Sequence, residues 1–454
     1  MGVLRRPALL ESAPEFGAAS RWSILAARPR LVFESRGTRC AVRTIDVESG
    51  RILRIERGLS PLETLGGLLA RFGLAQGDDA PDLEGPPFQG GFIGYLGYDI
   101  APLIERLPRR HPPDSTLPDI RLALYDTFAA VDHEDGVTTL IACDLVGDGP
   151  RATRERLADM RRALERERAL GPSIVQPPLH ANFSREAFVA AVMRALEYIA
   201  AGDIFQVNLS QRISAVARDA QPLDLYRRLK QKSPAPYAAF LRWGGRAIVS
   251  ASPELFYETR GASIVTRPIK GTRPRGQSAD QDRAQIEALR SSTKDRAELT
   301  MIVDLERNDL GRVCEYGSVR VVEPHAIESF AQVHHLVATV EGRLRDGVGP
   351  IDVVKAVAPG GSITGAPKIR AMQIIDELEP CRRGVYTGAI GYFSRGGRSA
   401  FNIAIRTLIV DGTRLSYQVG SGIVADSDPE AEYLETLHKG RGLREVLEEC
   451  GAAR

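Results

Sequence analysis

The chain has 454 residues, 43% of them hydrophobic, enough for two or three domains or one large two-layer domain. Sixty Lys and Arg against 58 Asp and Glu leave a net charge of +2, without the strongly basic face expected of a nucleic-acid-binding protein. No apolar run reaches transmembrane length, and the start Met1-Gly2-Val3-Leu4-Arg5-Arg6 fits neither a secretory signal nor a myristoylation site.

The N-terminal third reads as β-rich. Leu31–Glu34 and Cys40–Val42 flank Ser35-Arg36-Gly37 as a short hairpin. Gly90–Tyr98 is rich in glycine and aromatic residues but lacks the GxGxxG spacing and following helix of a dinucleotide site. Leu107–Pro118, with four prolines, reads as a surface loop. Ile120–Val131 and Val137–Cys143 flank His133-Glu134-Asp135-Gly136 as a second hairpin. From Arg151 to Leu170 a charged segment carries Leu157, Met160, Leu164 and Leu170 and predicts an exposed helix. Gly171-Pro172 ends it, and a polar, proline-containing linker follows to about Ala181. The predicted organisation is a β-rich region over 1–145, a charged helix and linker over 146–180, and a second domain over 181–454.

That domain opens with Ser184 as an N-cap. Phe188, Ala191, Val192, Ala195, Tyr198 and Ile199 follow at helical spacing, and Gly202-Asp203 stops the helix. Tyr237–Trp243, Ala247–Ala251, Leu255–Thr259 and Ser263–Pro268 read as strands turning at Gly244-Gly245 and Arg260-Gly261. Helical stretches are expected from Asp280 to about Arg307 and from Ala366 to Leu378. Val385–Ser394, Ala400–Val410 and Arg414–Val419 are again strand-like. Strands grouped by tight turns, not alternating with helices, predict an α+β fold of antiparallel sheets with helices outside. The cysteines at 40, 143, 314, 381 and 450 are widely spaced without a CxxC, which predicts a reducing, cytoplasmic setting and neither a disulfide framework nor a zinc site.

Chemistry-bearing residues concentrate in the second domain. Lys270 lies in Arg267-Pro268-Ile269-Lys270-Gly271-Thr272-Arg273-Pro274-Arg275, where cationic neighbours disfavour its own charge. A lysine that sheds its proton near neutral pH is a nucleophile; a solvated basic loop is the plainer alternative. Asp295 and Glu298 share a helix face at i,i+3, as do Glu432 and Glu435. Brought together, the two faces would form an all-oxygen site suited to Mg²⁺; separately they are ordinary salt-bridging residues. His334-His335 has no HExxH and no nearby cysteine, which favours a core histidine over a zinc ligand. Gly360–Lys368 is a glycine-rich turn entering a helix, and its N–H groups could cradle an anion. Arg406, inside an alternating strand, either faces solvent or clamps a carboxylate. Gly420-Ser421-Gly422-Ile423 and Lys439 complete a set fit for a small polyanion bridged by Mg²⁺.

Together these segments resemble the chorismate-utilising enzymes. The resemblance is carried, in order, by Gly202–Arg212, Ser252-Pro253-Glu254, Pro268–Arg273, Asp304–Asp309, Gly361–Lys368 and Gly420–Ile423, and spans about 185–454. Leu9-Leu10-Glu11-Ser12 and Gly91–Tyr95 are similar to the family's N-terminal region, which binds tryptophan in some members. Leu10, Glu11 and Ser12 are therefore candidate tryptophan-binding residues. The implied fold is a sandwich of antiparallel sheets with flanking helices and an active site in a central cleft. The resemblance implies that Glu298 and Glu435 are the principal Mg²⁺ carboxylates, with Asp295 and Glu432 behind them. It makes Glu254 the general acid that protonates the departing C4 hydroxyl. Tyr386, Arg406 and the Gly422 backbone would hold the enolpyruvyl and ring carboxylates, with Lys439 beside the metal. His335 and Ser362 would line the pocket near C1 and C2, and Gly271 and Thr272 would adjoin the substrate. Many members carry threonine where Ser362 stands; serine keeps the hydroxyl.

Two positions sort the branches of this family. Members that add water to C2 carry a base lysine where this chain has Gln206. Anthranilate synthases carry a small residue where it has Lys270, and a lysine there marks the aminodeoxychorismate synthases. The resemblance thus implies chorismate and ammonia as substrates, addition of Lys270 at C2, and amination at C4 to give 4-amino-4-deoxychorismate for 4-aminobenzoate and folate. The alternatives are anthranilate formation and a non-catalytic subunit that binds chorismate or tryptophan. No cysteine sits in the glycine-rich elbow of a glutamine amidotransferase, so a separate amidotransferase subunit or free ammonia is expected, as is a separate lyase. Neither nucleic acid nor membrane is an expected partner.

Overall fold

The computed structural model describes residues 4–12, 20–47, 49–75, 85–166, 171–330 and 333–452. Their strands form two antiparallel sheets. The first has eleven strands, ordered Ile174–Ala181, Gln206–Asp219, Arg414–Ile423, Thr407–Asp411, Arg246–Ser252, Tyr237–Trp243, Ala8–Glu11, Trp22–Ala26, Thr127–Asp132 and Val137–Ala142, with the short Gly365–Ala366 beside Gln206–Asp219. The second has twelve, ordered Ile269–Pro274, Val333–Arg343, Ser263–Arg267, Leu255–Arg260, Arg398–Ile403, Ala389–Ser394, Gly91–Leu96, Ile120–Tyr125, Leu31–Arg36, Arg39–Ile45 and Ile52–Gly58, with Arg320–Ser329 beside Val333–Arg343.

The sheets pack face to face. Ile93, Tyr95 and Tyr125 of the second meet Phe128, Leu241, Trp243 and Ile248 of the first in one buried core, and Tyr95 stacks on Trp243 at 6.1 Å between ring centroids. Helices cover the outer faces. Pro61–Arg71 and Thr293–Gly311 lie over the second sheet with Leu65 and Leu299 buried, Pro350–Val357 packs on those two helices with Val354 buried, and Arg185–Ala200 and Lys368–Leu378 lie against Gln206–Asp219 of the first sheet with Phe188 and Ile375 buried. Pro222–Lys232 and Pro429–Ala452 lie over the first through Leu225, Leu229, Leu443 and Val446. The central strand Ile120–Tyr125 is therefore buried on both faces and reads as a continuous buried run. This is the expected sandwich with flanking helices. Strands from both sides of the 146–180 segment share each sheet: Ala8–Glu11 pairs Tyr237–Trp243, and Gly91–Leu96 pairs Ala389–Ser394. The glycine-rich run thus serves packing. Gly94 and Gly391 face each other in register, and a Cβ on either would come within 2.0 and 1.9 Å of the carbonyl oxygens of Arg121 and Ala400.

Several elements depart from the sequence reading. The expected strand Ile120–Val131 breaks at buried Asp126, where the chain leaves the second sheet for the first. The linker to Ala181 ends in an edge strand, Ile174–Ala181, where proline is tolerated because one side of the ladder is open. The helix expected from Arg151 runs Gly149–Leu164, and Leu170 lies outside the described residues. Its buried face includes Arg156, which pairs with Asp126 and Asp148, while Leu164 is exposed. The long helix from Asp280 breaks at Ser292, whose hydroxyl accepts the Asp295 N–H and starts a second helix. The basic run around Lys270 is a strand, Ile269–Pro274, not a loop.

Candidate active site

At four places a link of one to four residues carries the chain from one sheet to the other: Ala27–Arg30, Asp126, Pro253-Glu254 and Ala404–Arg406. The last two crossings are tied together. The Ser252 hydroxyl donates to the Ile403 carbonyl at 2.6 Å, the Ile403 N–H to the Glu254 carbonyl at 3.1 Å, and the Ala251 N–H to the Arg406 carbonyl at 3.1 Å. This fixes Glu254 and Arg406 in one cleft. Arg406, read as part of an alternating strand, instead has φ +48 at the crossing, a left-handed conformation that the surrounding bonds must hold.

Glu254 is 6% exposed. Burial raises its carboxyl above the usual range, against hydrogen bonds from the Ser362 hydroxyl and the Ile269 N–H and the charge of Lys270. Lys270 moves the other way. Burial lowers it, the Lys439 cation lowers it further, and Glu298, Glu254 and Glu435 oppose the shift. No direct ion pair to Lys270 occurs among the described residues, so its amine stands among three carboxyls without being locked to one. The next residue must be glycine. Gly271 has φ +76, and a Cβ there would lie 2.9 Å from the Asp295 carboxyl carbon.

The four predicted metal carboxylates come from two helices. Glu298 and Asp295 lie on Thr293–Gly311, and Glu432 and Glu435 on Pro429–Ala452. Burial raises the Glu298 carboxyl, and the Asp295 and Glu435 carboxylates add to that rise. Asp295 accepts from Arg273 at 2.8 Å, and Glu435 pairs with Lys439 at 2.6 Å. Glu432 accepts from Ser427 at 2.6 Å, while its Oε2 is buried without a partner. Among the described residues no three such groups converge into a ready-made cage. The residues fit Mg²⁺ in another way: that ion takes one or two carboxylates and keeps waters. Asp295, Glu298 and Glu435 each have a cationic neighbour, Arg273, Lys294 and Lys439, so the feature that would suit a hard cation is the unpartnered Glu432 Oε2.

The opposite wall is cationic and polar. His335, 2% exposed, is bonded to Thr272 Oγ1 at 2.8 Å through Nδ1. Burial and the neighbouring Arg406 bring it down to about 3, so the imidazole is neutral at physiological pH. Arg406 faces no carboxylate among the described residues, and burial lowers it without a compensating anion. Gln206 is buried with both amide atoms unpartnered, beside Gly422. The Ser421 hydroxyl is also unpartnered. Lys439 donates to the Gly420 carbonyl at 3.3 Å, and a Cβ on Gly420 would lie 3.1 Å from the Tyr386 hydroxyl. An uncompensated guanidinium and an unsatisfied amide form a polar cradle for an anionic, oxygen-rich ligand.

Three residues escaped the sequence reading. Glu306 is buried and accepts from Thr266 at 2.7 Å, and burial holds its carboxyl well above the usual range near Glu254. The signal was present, since Glu306 sits in the buried stripe Leu299, Ile302, Val303, Leu310 of its helix. Arg383 and Glu379 form a buried pair at 2.6 Å. Arg383 also donates to the carbonyls of Ile363 at 2.9 Å and Asn208 at 2.8 Å, and Glu379 accepts the Ser210 N–H and hydroxyl. This hub ties the Gln206 strand, the Ser362 turn and the Tyr386 segment to one point. Arg383→Leu strands the Glu379 carboxylate and is expected to cost about 3–5 kcal/mol. Urea unfolding measures it as a lower midpoint at unchanged slope; a loss below about 1 kcal/mol would contradict a buried hub.

Leu10, Glu11 and Ser12 are not brought to Lys270. They line a separate cavity of about 780 Å³ with Pro236, Tyr237, Arg267 and Asn402. Glu11 accepts from Tyr226 at 2.5 Å and Lys230 at 2.6 Å, and the Ser12 hydroxyl donates to the Pro236 carbonyl at 2.9 Å.

A model of the family described as chorismate binding enzyme matches residues 41–445. The chain is 42% identical over 449 residues to anthranilate synthase component 1 of Thermus thermophilus, covering 97% of this chain and 92% of that one. It is 42% identical over 370 residues to aminodeoxychorismate synthase component 1 of Bacillus subtilis, covering 80% and 78%. The crystal structure of anthranilate synthase component I from Streptococcus pneumoniae TIGR4 superposes with a TM-score of 0.79 at 33% identity, covering 95% of this chain and 93% of that one. Among the described residues no helix is long and apolar enough to cross a membrane.

Proposed function

The chain belongs to the chorismate binding enzyme family, and from that premise we propose that it aminates chorismate at C4, as component I of an aminodeoxychorismate synthase. One observation favours this over anthranilate formation: a lysine amine stands in the cleft among Glu254, Glu298 and Glu435. In this reading Lys270 Nζ, neutral, adds to C2 of the ring. Both ring double bonds shift, the C4–O bond breaks, and the hydroxyl leaves as water with the Glu254 proton. Ammonia then adds to C4, both double bonds return, and the C2–N bond breaks to release the lysine. The proton lost by the new amine restores Glu254. The sum is chorismate plus ammonia to 4-amino-4-deoxychorismate plus water. The tethered amine blocks C2 against ammonia and makes its own attack effectively unimolecular.

Arg406, Tyr386 and the Gly422 N–H hold the substrate carboxylates, neutral His335 and Ser362 line the ring, and Gln206 offers an amide where a water-adding enzyme needs a base. Mg²⁺, held by Glu298 and Glu435 with Asp295 and Glu432 behind, would neutralise a substrate carboxylate and stabilise developing charge. Ammonia would come from a separate glutamine amidotransferase subunit. The test is product identity. Purified protein with chorismate, Mg²⁺ and ammonium should yield 4-aminobenzoate only when a 4-amino-4-deoxychorismate lyase is added. Fluorescent anthranilate formed without that lyase would overturn the assignment in favour of the second reading, anthranilate synthase component I. That second reading has the support of the Thermus thermophilus relative across nearly the whole chain.

A further inference from the structure

The strand that carries Lys270 is not regular. Lys270 pairs with Leu336 and Thr272 with His335, so Gly271 is one extra residue against Val333–Arg343. Such a bulge re-aims the side chains beside it. Without it, and with Thr272 still opposite His335, Lys270 would lie opposite Val337 and point to the other face of the sheet, because a one-residue slip reverses every side chain. The bulge therefore aims the amine, and it lasts only while the strand is held at both ends. Before it, the Ala338 N–H donates to the Pro268 carbonyl at 3.1 Å.

Beyond it, the strand end is tied to Asp282, in the first turn of the helix Ala279–Ser291. The Asp282 carboxylate accepts from Arg275 Nε and Nη2 at 2.8 and 2.9 Å and from the Gly276 N–H at 2.8 Å. Arg275 and Gly276 directly follow the strand end at Pro274. The approach is close: a Cβ on Gly276 would lie 2.1 Å from the Asp282 nitrogen. The same carboxylate takes His334 Nε2 at 3.0 Å. His334, expected as a core histidine, is 0% exposed. It lies opposite Arg273 in the ladder, and its Nδ1 bonds the Ser329 hydroxyl at 2.7 Å. The Arg275 guanidinium, then the Gly276 N–H and His334, hold the Asp282 carboxyl well below the usual carboxylate range, so it stays ionised and only accepts. One carboxylate thus joins the end of the Lys270 strand, the helix beside it and the strand of His335.

We propose that Asp282 and His334 are positioning residues: they pin the strand beyond Gly271 and so keep the bulge that aims Lys270 into the cleft. This rests on the reading of Lys270 as the reactive amine. The test compares the full chain with His334→Leu, which cuts the tie, His334→Gln, which can still hydrogen-bond to Asp282, and Asp282→Ala. One arm follows carbamylation of Lys270 by cyanate across pH, without chorismate, by peptide mass spectrometry. In His334→Leu and Asp282→Ala the midpoint should rise towards the ordinary lysine value, because the amine leaves the buried place that lowers it. The other arm follows turnover of chorismate with ammonium and Mg²⁺. There kcat should fall about ten- to a hundredfold, the cost of misplacing a reacting group by about an ångström, with KM for chorismate unchanged and a larger share of anthranilate-type product. His334→Gln should restore most of both. Asp282 is not in the core and its helix keeps the Ser278 cap, so Asp282→Ala carries the test if His334→Leu does not fold. The carbamylation arm needs no substrate, so it decides the positioning even where the wild-type product overturns the proposed reaction. A wild-type midpoint and product ratio in Asp282→Ala would overturn the proposal.

Discussion

Lys270→Ala is expected to lower 4-amino-4-deoxychorismate formation about a hundredfold or more, because attack by a held amine is replaced by attack from solution. The fold should survive, since the residue makes no direct ion pair among the described residues and truncation leaves its strand pairing with Val333–Arg343 intact. With C2 no longer occupied, ammonia can add there, and anthranilate-type product should emerge. Chromatographic separation of products from chorismate, ammonium and Mg²⁺ reads both effects at once. An unchanged rate with unchanged product would remove the lysine from the chemistry altogether.

Glu254→Gln should lower kcat by about 10²–10⁴ with little change in KM, because the amide keeps the shape of the acid but cannot deliver a proton to the leaving hydroxyl. The pH profile sharpens this test. The reaction needs Glu254 protonated and Lys270 neutral, the reverse of the charge state the two groups would adopt in water. That form carries the same number of protons as the ordinary ion pair, so kcat/KM should be bell-shaped, with limbs belonging to the pair and not to either residue. The acid limb is addition of a second proton to the pair, and the alkaline limb is loss of the one proton it holds. Burial raises Glu254 and lowers Lys270, moving the two towards each other and enlarging the reactive fraction. The Gln variant should lose the alkaline limb, because only the Lys270 amine is then left to titrate. A variant with wild-type kcat and profile would exclude Glu254 as the proton donor.

How much of this was legible depends on how local each signal was. Tyr237–Trp243 and Ala247–Ala251 were readable because alternation and the Gly244-Gly245 turn lie within one hairpin. The Ser184 cap and the 188–199 spacing were readable for the same reason. The crossings were not. Ile120–Val131 and the strand through Arg406 look continuous in composition, and only the packing of two sheets decides that the chain changes layers at Asp126 and Arg406. The long strands Gln206–Asp219 and Val333–Arg343 were also missed, being stabilised by partners distant in sequence. At the site, Lys270, Glu254, Glu298 and Glu435 were recognisable by resemblance. Arg383 and Glu379 were not, since two opposite charges flanking a loop just beyond the helix end at Leu378 carry no local sign of being buried.

The shared sheets have a consequence for how the chain is made. Ala8 pairs with Leu241 and Leu96 with Ala389. A polypeptide leaving the ribosome therefore cannot finish either layer until most of it has been synthesised, and its early strands wait with unsatisfied edges. Such non-local pairing slows folding and prolongs exposure to aggregation. It also means that the catalytic cleft is among the last parts to exist: its two crossings meet only when the segment around Arg406 has emerged and docked against residues 251–254. A truncated or nicked chain should thus lack the cleft entirely, not hold a weakened one.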